Sequence, residues 1–259
     1  MIRLRALGAL AMTAAACAVT PLTNRIDVGE EPFVVGVGNG PDGFTDLYAA
    51  PAGGGNFVRL SFNRAREEGP KISPDGGRVA FFRRAEAGGG TWSLVVMDLL
   101  TTGERSTLLP NGAGTPVRLG WSHDGRRIGL WAGPLYLVDE ANPAETIHPI
   151  AGDSVPIVDS LTREFVGSPP IGAIEACRDG GECILTREGQ LTLLGPATSG
   201  AIRWTSDSVA YFIGDDFEIR PLGGGRSRRP SWTTRPDSLR SLSFHSGASS
   251  SVSSPPLRP

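Results

Sequence analysis

Two stretches of the chain align with one another around an Asp-Gly pair, and this repeat constrains the fold more than any other feature. The first is Pro70-Lys-Ile-Ser-Pro-Asp75-Gly76-Gly-Arg-Val-Ala-Phe-Phe82, followed after a glycine-rich loop by Trp92-Ser-Leu-Val-Val-Met-Asp98. The second is Val117-Arg-Leu-Gly-Trp-Ser-His-Asp124-Gly125-Arg-Arg-Ile-Gly-Leu-Trp131, followed by Leu135-Tyr-Leu-Val-Asp139. Each reads as strand, turn, strand, loop, strand. The turn chemistry explains the shared centre. An Asp carboxylate accepts hydrogen bonds from backbone N–H groups two residues on, and Gly supplies the positive φ that a tight hairpin requires.

Weaker copies follow. Ile174 to Leu185 contains Asp179-Gly180 between Cys177 and Cys183, and Gln190 to Leu194 supplies its next strand. Ile202 to Phe212 keeps Asp207 but has Ser208 where the glycine stood, and Phe217 to Leu222 follows it. The four aspartates are spaced 49, 55 and 28 residues apart. Propeller blades repeat at about 40–50 residues, so the middle spacing implies an insertion at 153–170 and the last a lost strand. The ends complete the pattern. Phe33 to Val37, Asp46 to Ala49 and Asn56 to Phe62 read as second, third and fourth strands without a first. Leu239 to His245 reads as a first strand with nothing after it. The expected fold is all-β: a β-propeller of five four-stranded blades, six being the alternative count. One blade is shared between the N- and C-terminal segments, which leaves no bare sheet edge.

Ser73-Pro-Asp-Gly76 and Ser122-His-Asp-Gly125, each followed by a basic and then an apolar strand, resemble the TolB-type propeller repeat. Good matches cover two units, and degenerate ones extend the resemblance over about residues 32–246. The resemblance implies a propeller. It implies no particular activity, because its members include periplasmic scaffolds, peptidase-associated propellers and some lyases.

The N-terminus reads as an export signal over residues 1–16, with Arg3 and Arg5 ahead of a short apolar run. Ala14-Ala-Ala16 before Cys17 fits an A-x-A cleavage site. It also resembles a bacterial lipobox, with Ala14 where Leu is usual. On the lipobox reading Cys17 is acylated and anchors the protein to a membrane, and Cys177 and Cys183 remain as an even pair across a hairpin turn, within reach of a disulfide. On the other reading the protein is secreted with an odd thiol. Residues 17–31 then form a linker, 32–246 the propeller, and 247–259 a tail disordered by composition. A net charge of -2 gives no field for a polyanion, so no nucleic-acid partner is expected.

The longer connections fall at 38–45, 63–69, 85–91, 111–116, 153–170 and 223–237, all at the end of the blades opposite the Asp-Gly turns. Loops on a rigid scaffold are where binding usually sits. Arg226, Arg228, Arg229 and Arg235 crowd one of these connections, and Arg64, Arg66, Glu67 and Glu68 another. Read functionally, the arginines engage an anionic partner. Read plainly, they are solvated loop charges.

Other chemistries fail on context. Gly38-Asn-Gly40-Pro-Asp-Gly43 spells a dinucleotide fingerprint but opens a turn, not a helix. No nucleophile elbow is present. His123, His148 and His245 fall on a turn, an outer strand and an inner strand. Asp42 with Asp46, and Asp215 with Asp216, lack the ligand spacing of a calcium loop. Neither a metal nor a cofactor is expected. The expected function is a non-catalytic, envelope-located scaffold, periplasmic or lipid-anchored, that binds a protein or cell-envelope component through its long-loop face. The alternative is a propeller enzyme, a polysaccharide lyase or hydrolase-like, with its site at the central channel.

Overall fold

The Asp75-Gly76 and Asp124-Gly125 turns each join the first two strands of an antiparallel sheet. In the computed structural model, which describes residues 31–85, 90–116, 118–122, 124–149, 174–176, 182–185, 191–195, 198–205, 208–213, 216–221, 224–233 and 236–245, the two turns have one geometry. Gly76 N–H donates to Ser73 O and Gly125 N–H to Ser122 O, both at 2.9 Å, with φ of 73° and 69° at the glycines. Asp75 Oδ1 accepts from Gly77 N at 3.1 Å, and Asp124 Oδ1 from Arg126 N at 3.0 Å. The serine hydroxyls close each turn, accepting from Arg78 N and Arg127 N and donating to the aspartates. These bonds hold both carboxyls below the usual aspartate range. For Asp75, burial opposes the shift and is outweighed by Ser73, Gly77 and Arg78.

Among the described residues, five antiparallel sheets follow one another along the chain, as in a β-propeller. Sheet I pairs Asp237–His245 with Phe33–Asn39, and continues through Thr45–Pro51 to Val58–Arg59. The two ends of the chain therefore share one sheet. Sheet II comprises Ala65–Ile72, Arg78–Ala85, Trp92–Asp98 and Glu104–Leu108 in spatial order. Sheet III comprises Arg118–Trp121, Arg127–Trp131, Leu135–Asp139 and His148–Pro149, with a single helical turn at Pro143–Thr146 before the last strand. Sheets IV (Ile174–Ala176, Glu182–Leu185, Leu191–Gly195) and V (Thr198–Thr205, Ser208–Ile213, Asp216–Pro221) have three strands each.

Sheets I, II, III and V pack face to face, which explains why the runs Phe33–Val37, Val79–Phe82 and Leu94–Met97 are apolar without alternation. Phe33, Val35, Val37, Leu47 and Leu60 of sheet I and its outgoing connection meet Val79, Phe81, Val95 and Met97 of sheet II. The opposite face of sheet II, with Phe82, Leu94 and Val96, meets Leu119, Ile128, Leu130 and Val138 of sheet III. The opposite face of sheet I, with Val34, Ala50, Leu239 and Leu242, meets Ala210, Phe217 and Ile219 of sheet V. Adjacent first strands are stitched by polar bonds: Ile72 N donates to Ser243 Oγ at 3.0 Å and Trp121 Nε1 to Lys71 O at 2.9 Å.

Two segments read as loops are strand. Residues 65–69 belong to the first strand of sheet II, because Ala65 and Glu67 turn inward and the buried Glu67 is matched by Arg83. In 223–237, Arg228 exchanges both backbone hydrogen bonds with Ile219, extending sheet V outward, and Ser231–Trp232 pairs parallel with Gly54–Gly55. The cause is Trp232, whose ring lies 4.8 Å from that of Phe217 and 5.0 Å from that of Phe57. Residues 1–30, including Cys17, lie outside the described residues, as do His123, 150–173, Cys177, Asp179, Gly180, Asp207, Asp215, Arg235 and 246–259.

Gly76 is doubly required. A Cβ there would stand 2.6 Å from Nε2 of the buried His245, on top of the positive φ. Gly43 has φ of 82° with nothing within 4 Å of a built Cβ. Gly43→Ala should therefore cost about 1–2 kcal/mol from backbone strain alone. Gly76→Ala should add about 1–3 kcal/mol of overpacking to that cost. Urea unfolding midpoints of the two variants test this, and equal losses would show that the His245 contact relaxes freely.

Candidate functional site

At the end of sheets I and II away from the Asp-Gly turns, charges enter the apolar layers. They do so on both sides of the Thr45–Pro51 strand. On the side facing sheet V, Asp46 is fully buried, and its Oδ2 lies 2.6 Å from Arg59 Nη2. Arg59 is placed by strand pairing opposite Tyr48, and its Nε donates to Ser61 O at 2.9 Å. The ion pair is close but poorly directed, and neither Asp46 oxygen accepts a well-formed hydrogen bond. Burial raises the Asp46 carboxyl above its usual range against the pull of Arg59, with a further push from Asp42. Gly40 allows this packing. A Cβ at Gly40 would collide with Asp46 Oδ2 and stand 2.8 Å from Asp42 Oδ1.

On the side facing sheet II, Glu67 is the centre. Its side chain is fully buried and fully partnered: Oε1 accepts from Arg83 Nε and Nη2 at 2.9 and 2.7 Å, and Oε2 from Ser61 Oγ at 2.5 Å. Ser61 Oγ in turn accepts from Leu47 N at 2.8 Å. Thr45 Oγ1 bridges the backbone of Glu67, accepting from its N at 2.7 Å and donating to its O at 3.0 Å. Arg83 extends across Phe81, its guanidinium carbon 5.1 Å from the ring centre, to a two-point pair with Glu104. Burial pushes the Glu67 carboxyl up, against the opposing pull of Arg83 and Ser61. The network ties the connection between the sheets, 61–64, to strands on either side of it.

A second network lies at the Asp-Gly end. Arg78 pairs with Asp75 at 3.0 Å and with Glu140 at 2.6 Å, over the face of Trp121, and Glu140 also pairs with Arg105. It joins sheet II to the connection leaving the third strand of sheet III, and its groups are spent on one another.

The arginines singled out from the sequence separate into two places. Arg64 and Arg66 stand at the junction of sheets I and II, where Arg66 pairs with Glu68 at 2.5 Å. Arg226, Arg228 and Arg229 border sheet V, which packs on the other side of sheet I. There Arg229 pairs with Asp216 at 2.9 Å and Glu218 at 2.8 Å. No ion pair among the described residues links the two groups. Asp42 and Asp46 both face Arg59, so a guanidinium occupies the place a calcium ion would need. Among the described residues no group of three His, Cys, Asp or Glu is arranged to hold a metal. Sequence reasoning missed Arg59, Ser61, Glu67 and Arg83 as a unit. The available signal was position: Arg83 lies two residues from Phe81 on a strand, on a face otherwise apolar.

No family model matches the chain, and no curated protein matches it at a significant level. Solved structures similar to it include TolB from Acinetobacter baumannii, at 13% identity and TM-score 0.43, covering 86% of this chain and 68% of that one. A TolB-type structure from Agrobacterium tumefaciens aligns at 15% identity and TM-score 0.34, covering 82% of this chain and 70% of that one. The tricorn protease aligns at 16% identity and TM-score 0.35, covering 80% of this chain but only 21% of the protease chain. The likenesses are distant, and the fold described above rests on the chain's own strand pairing.

The raised Glu67 carboxyl has a definite sign. Because the folded chain holds this proton more tightly than the unfolded one, the associated stability is complete below the ordinary glutamate value of 4.5 and is lost as pH rises through the folded value. Glu67→Gln removes that titration, so wild type should lose stability relative to Glu67→Gln between mildly acidic and neutral pH. Glu67→Ala leaves Arg83 its pair with Glu104 but removes the acceptor of its Nε and of the Ser61 hydroxyl, and should cost about 1–3 kcal/mol. Urea unfolding at several pH values checks both, and a wild-type advantage that grows with pH would contradict the assignment.

Proposed function

We propose that this chain is an exported five-bladed propeller closed by its shared sheet, and that it acts as a non-catalytic binding scaffold in the cell envelope. Its partner, a protein or envelope component, engages the end of the molecule opposite the Asp-Gly turns, with Arg64 and Arg66 among the contacting groups. On the lipobox reading of Cys17, an acyl anchor holds the scaffold at a membrane.

One observation supports this reading above the rest. The connections at that end are fastened by buried charge, through Asp46–Arg59 and Glu67–Arg83. Buried ion pairs add little net stability and leave a heavy penalty if broken, so their effect is to fix geometry. A fixed loop surface binds with less ordering cost than a mobile one. The Asp-Gly end, by comparison, has one turn structure in both sheet II and sheet III, and repeated geometry carries little specificity.

Capture from envelope extract on the immobilised full chain tests the choice of face. Replacing Arg64 and Arg66 together by Ala should reduce recovery of the bound component about tenfold, the scale of a lost interface anchor. Arg126→Ala, exposed on an Asp-Gly turn, should leave it unchanged. Loss confined to Arg126→Ala, or equal capture by the Arg64/Arg66 variant, would contradict the proposal.

A further inference from the structure

Arg59 is one guanidinium set between two acids of unlike setting. The same nitrogen, Nη2, lies 2.6 Å from Asp46 Oδ2 and 3.6 Å from Asp42 Oδ1. Asp46 is fully buried on the Thr45–Pro51 strand, whereas Asp42 is partly exposed on the turn that enters that strand. The turn closes through its own backbone, with Gly40 N–H donating to Phe44 O at 2.7 Å and Gly43 N–H to Gly40 O at 3.1 Å. It rests directly on the three charged groups. A Cβ at Gly40 would stand 2.8 Å from Asp42 Oδ1 and 3.1 Å from Arg59 Nη2. The stem of Arg59 is fixed independently of either acid, since Nε donates to Ser61 O at 2.9 Å and the Phe62 ring centre lies 4.8 Å from the guanidinium carbon. Only the end of the side chain is free to choose between acids.

The surrounding charges leave that choice open. Asp237, paired with Asn39 on the closing strand, acts with Asp42 and Asp46 on the Tyr48 hydroxyl. Glu67 also repels Asp46, but its own charge is matched by Arg83. Neither Asp46 oxygen accepts a well-formed hydrogen bond, so its charge depends chiefly on Arg59. Two carboxylates beside one guanidinium are not both compensated, and the buried one gains more from a proton. An ionised acid also holds a guanidinium more strongly than a protonated one.

We propose that Asp46, Arg59 and Asp42 form a proton-operated clasp on the turn 40–43. With Asp46 ionised, Arg59 is held inward and Asp42 is loosely engaged. When Asp46 takes a proton from solvent, the end of Arg59 passes to Asp42 and fastens the turn. The sign follows from burial, which raises the Asp46 carboxyl above its usual range, so the fastened form gains as pH falls. The clasp sets the mobility of one long connection by pH, goes beyond the scaffold reading and does not depend on it.

Hydrogen exchange of the full chain between neutral and mildly acidic pH, corrected for intrinsic exchange rates, tests the clasp at the Gly40 and Gly43 amides. Amides of Val79 to Phe82 serve as the reference for global opening. In wild type the protection of Gly40 and Gly43 should rise about tenfold on acidification, the equivalent of one pKa unit of coupling, beyond any change in the reference amides. Asp46→Asn, an uncharged stand-in for the protonated acid, should show the higher protection already at neutral pH and no further rise. Asp42→Asn removes the second acceptor from an exposed turn and should abolish the rise, which decides the matter even where thermal melts show Asp46→Asn to be unfolded. Protection that stays level or falls on acidification in wild type overturns the proposal. So does a rise that persists in Asp42→Asn, or one no larger than that of the reference amides.

Discussion

The pairing of Asp237–His245 with Phe33–Asn39 is the constraint on which the remaining structure depends. Residues 33–38 are buried on both faces, against sheet II on one side and sheet V on the other. Without a strand on its free edge, that segment would expose a row of apolar residues and unpaired backbone groups together. The C-terminal strand supplies the missing hydrogen bonds. It also brings His245 against Gly76 and Ser243 against Ile72, so the closure of sheet I positions the first strand and turn of sheet II. A contact made between the two ends of the chain thereby sets the stacking of units made locally.

Once the sheets are stacked, the two ends of each layer face different problems. At the Asp-Gly end the turn satisfies itself through Ser, Asp and backbone N–H groups within six residues. At the other end the chain must cross from one sheet to the next. The layer between sheets I and II ends in Thr45, Ser61, Glu67 and Arg83 instead of further apolar side chains. This arrangement is costly to disrupt and contributes modestly when intact. What it provides is a connection of fixed shape, which is the property a recognition surface needs.

Much of this was legible in the sequence, for identifiable reasons. Asp-Gly turns have a local mechanism, so the first two strands of sheets II and III could be placed from Ser73 to Arg78 and Ser122 to Arg127 alone. The strands at the two ends were legible because Phe33 to Val37 is too apolar to lie at an open edge. The charged segment Ala65 to Gly69 was not. Its periodicity is that of a strand, but Glu67 looks solvent-facing until Arg83, sixteen residues on, is known to meet it. The outer edge at Arg228 and Trp232 was hidden for a similar reason: glycine and arginine dominate the local composition, while the aromatic partners Phe57 and Phe217 lie far away in the chain. Local rules found what local interactions determine, and long-range charge pairing and aromatic packing accounted for the rest.

Native-state hydrogen exchange on the full chain tests the central claim directly. If the shared sheet is the closure on which the fold depends, amides of Val34, Val35 and Val37 and of Leu242 to Phe244 should open with the same free energy as those of Val79 to Phe82 in the middle of sheet II. Opening of the terminal strand at a free energy lower by about 3 kcal/mol or more, while sheet II keeps its full protection, would mean that the C-terminal strand frays independently. That result would contradict the account.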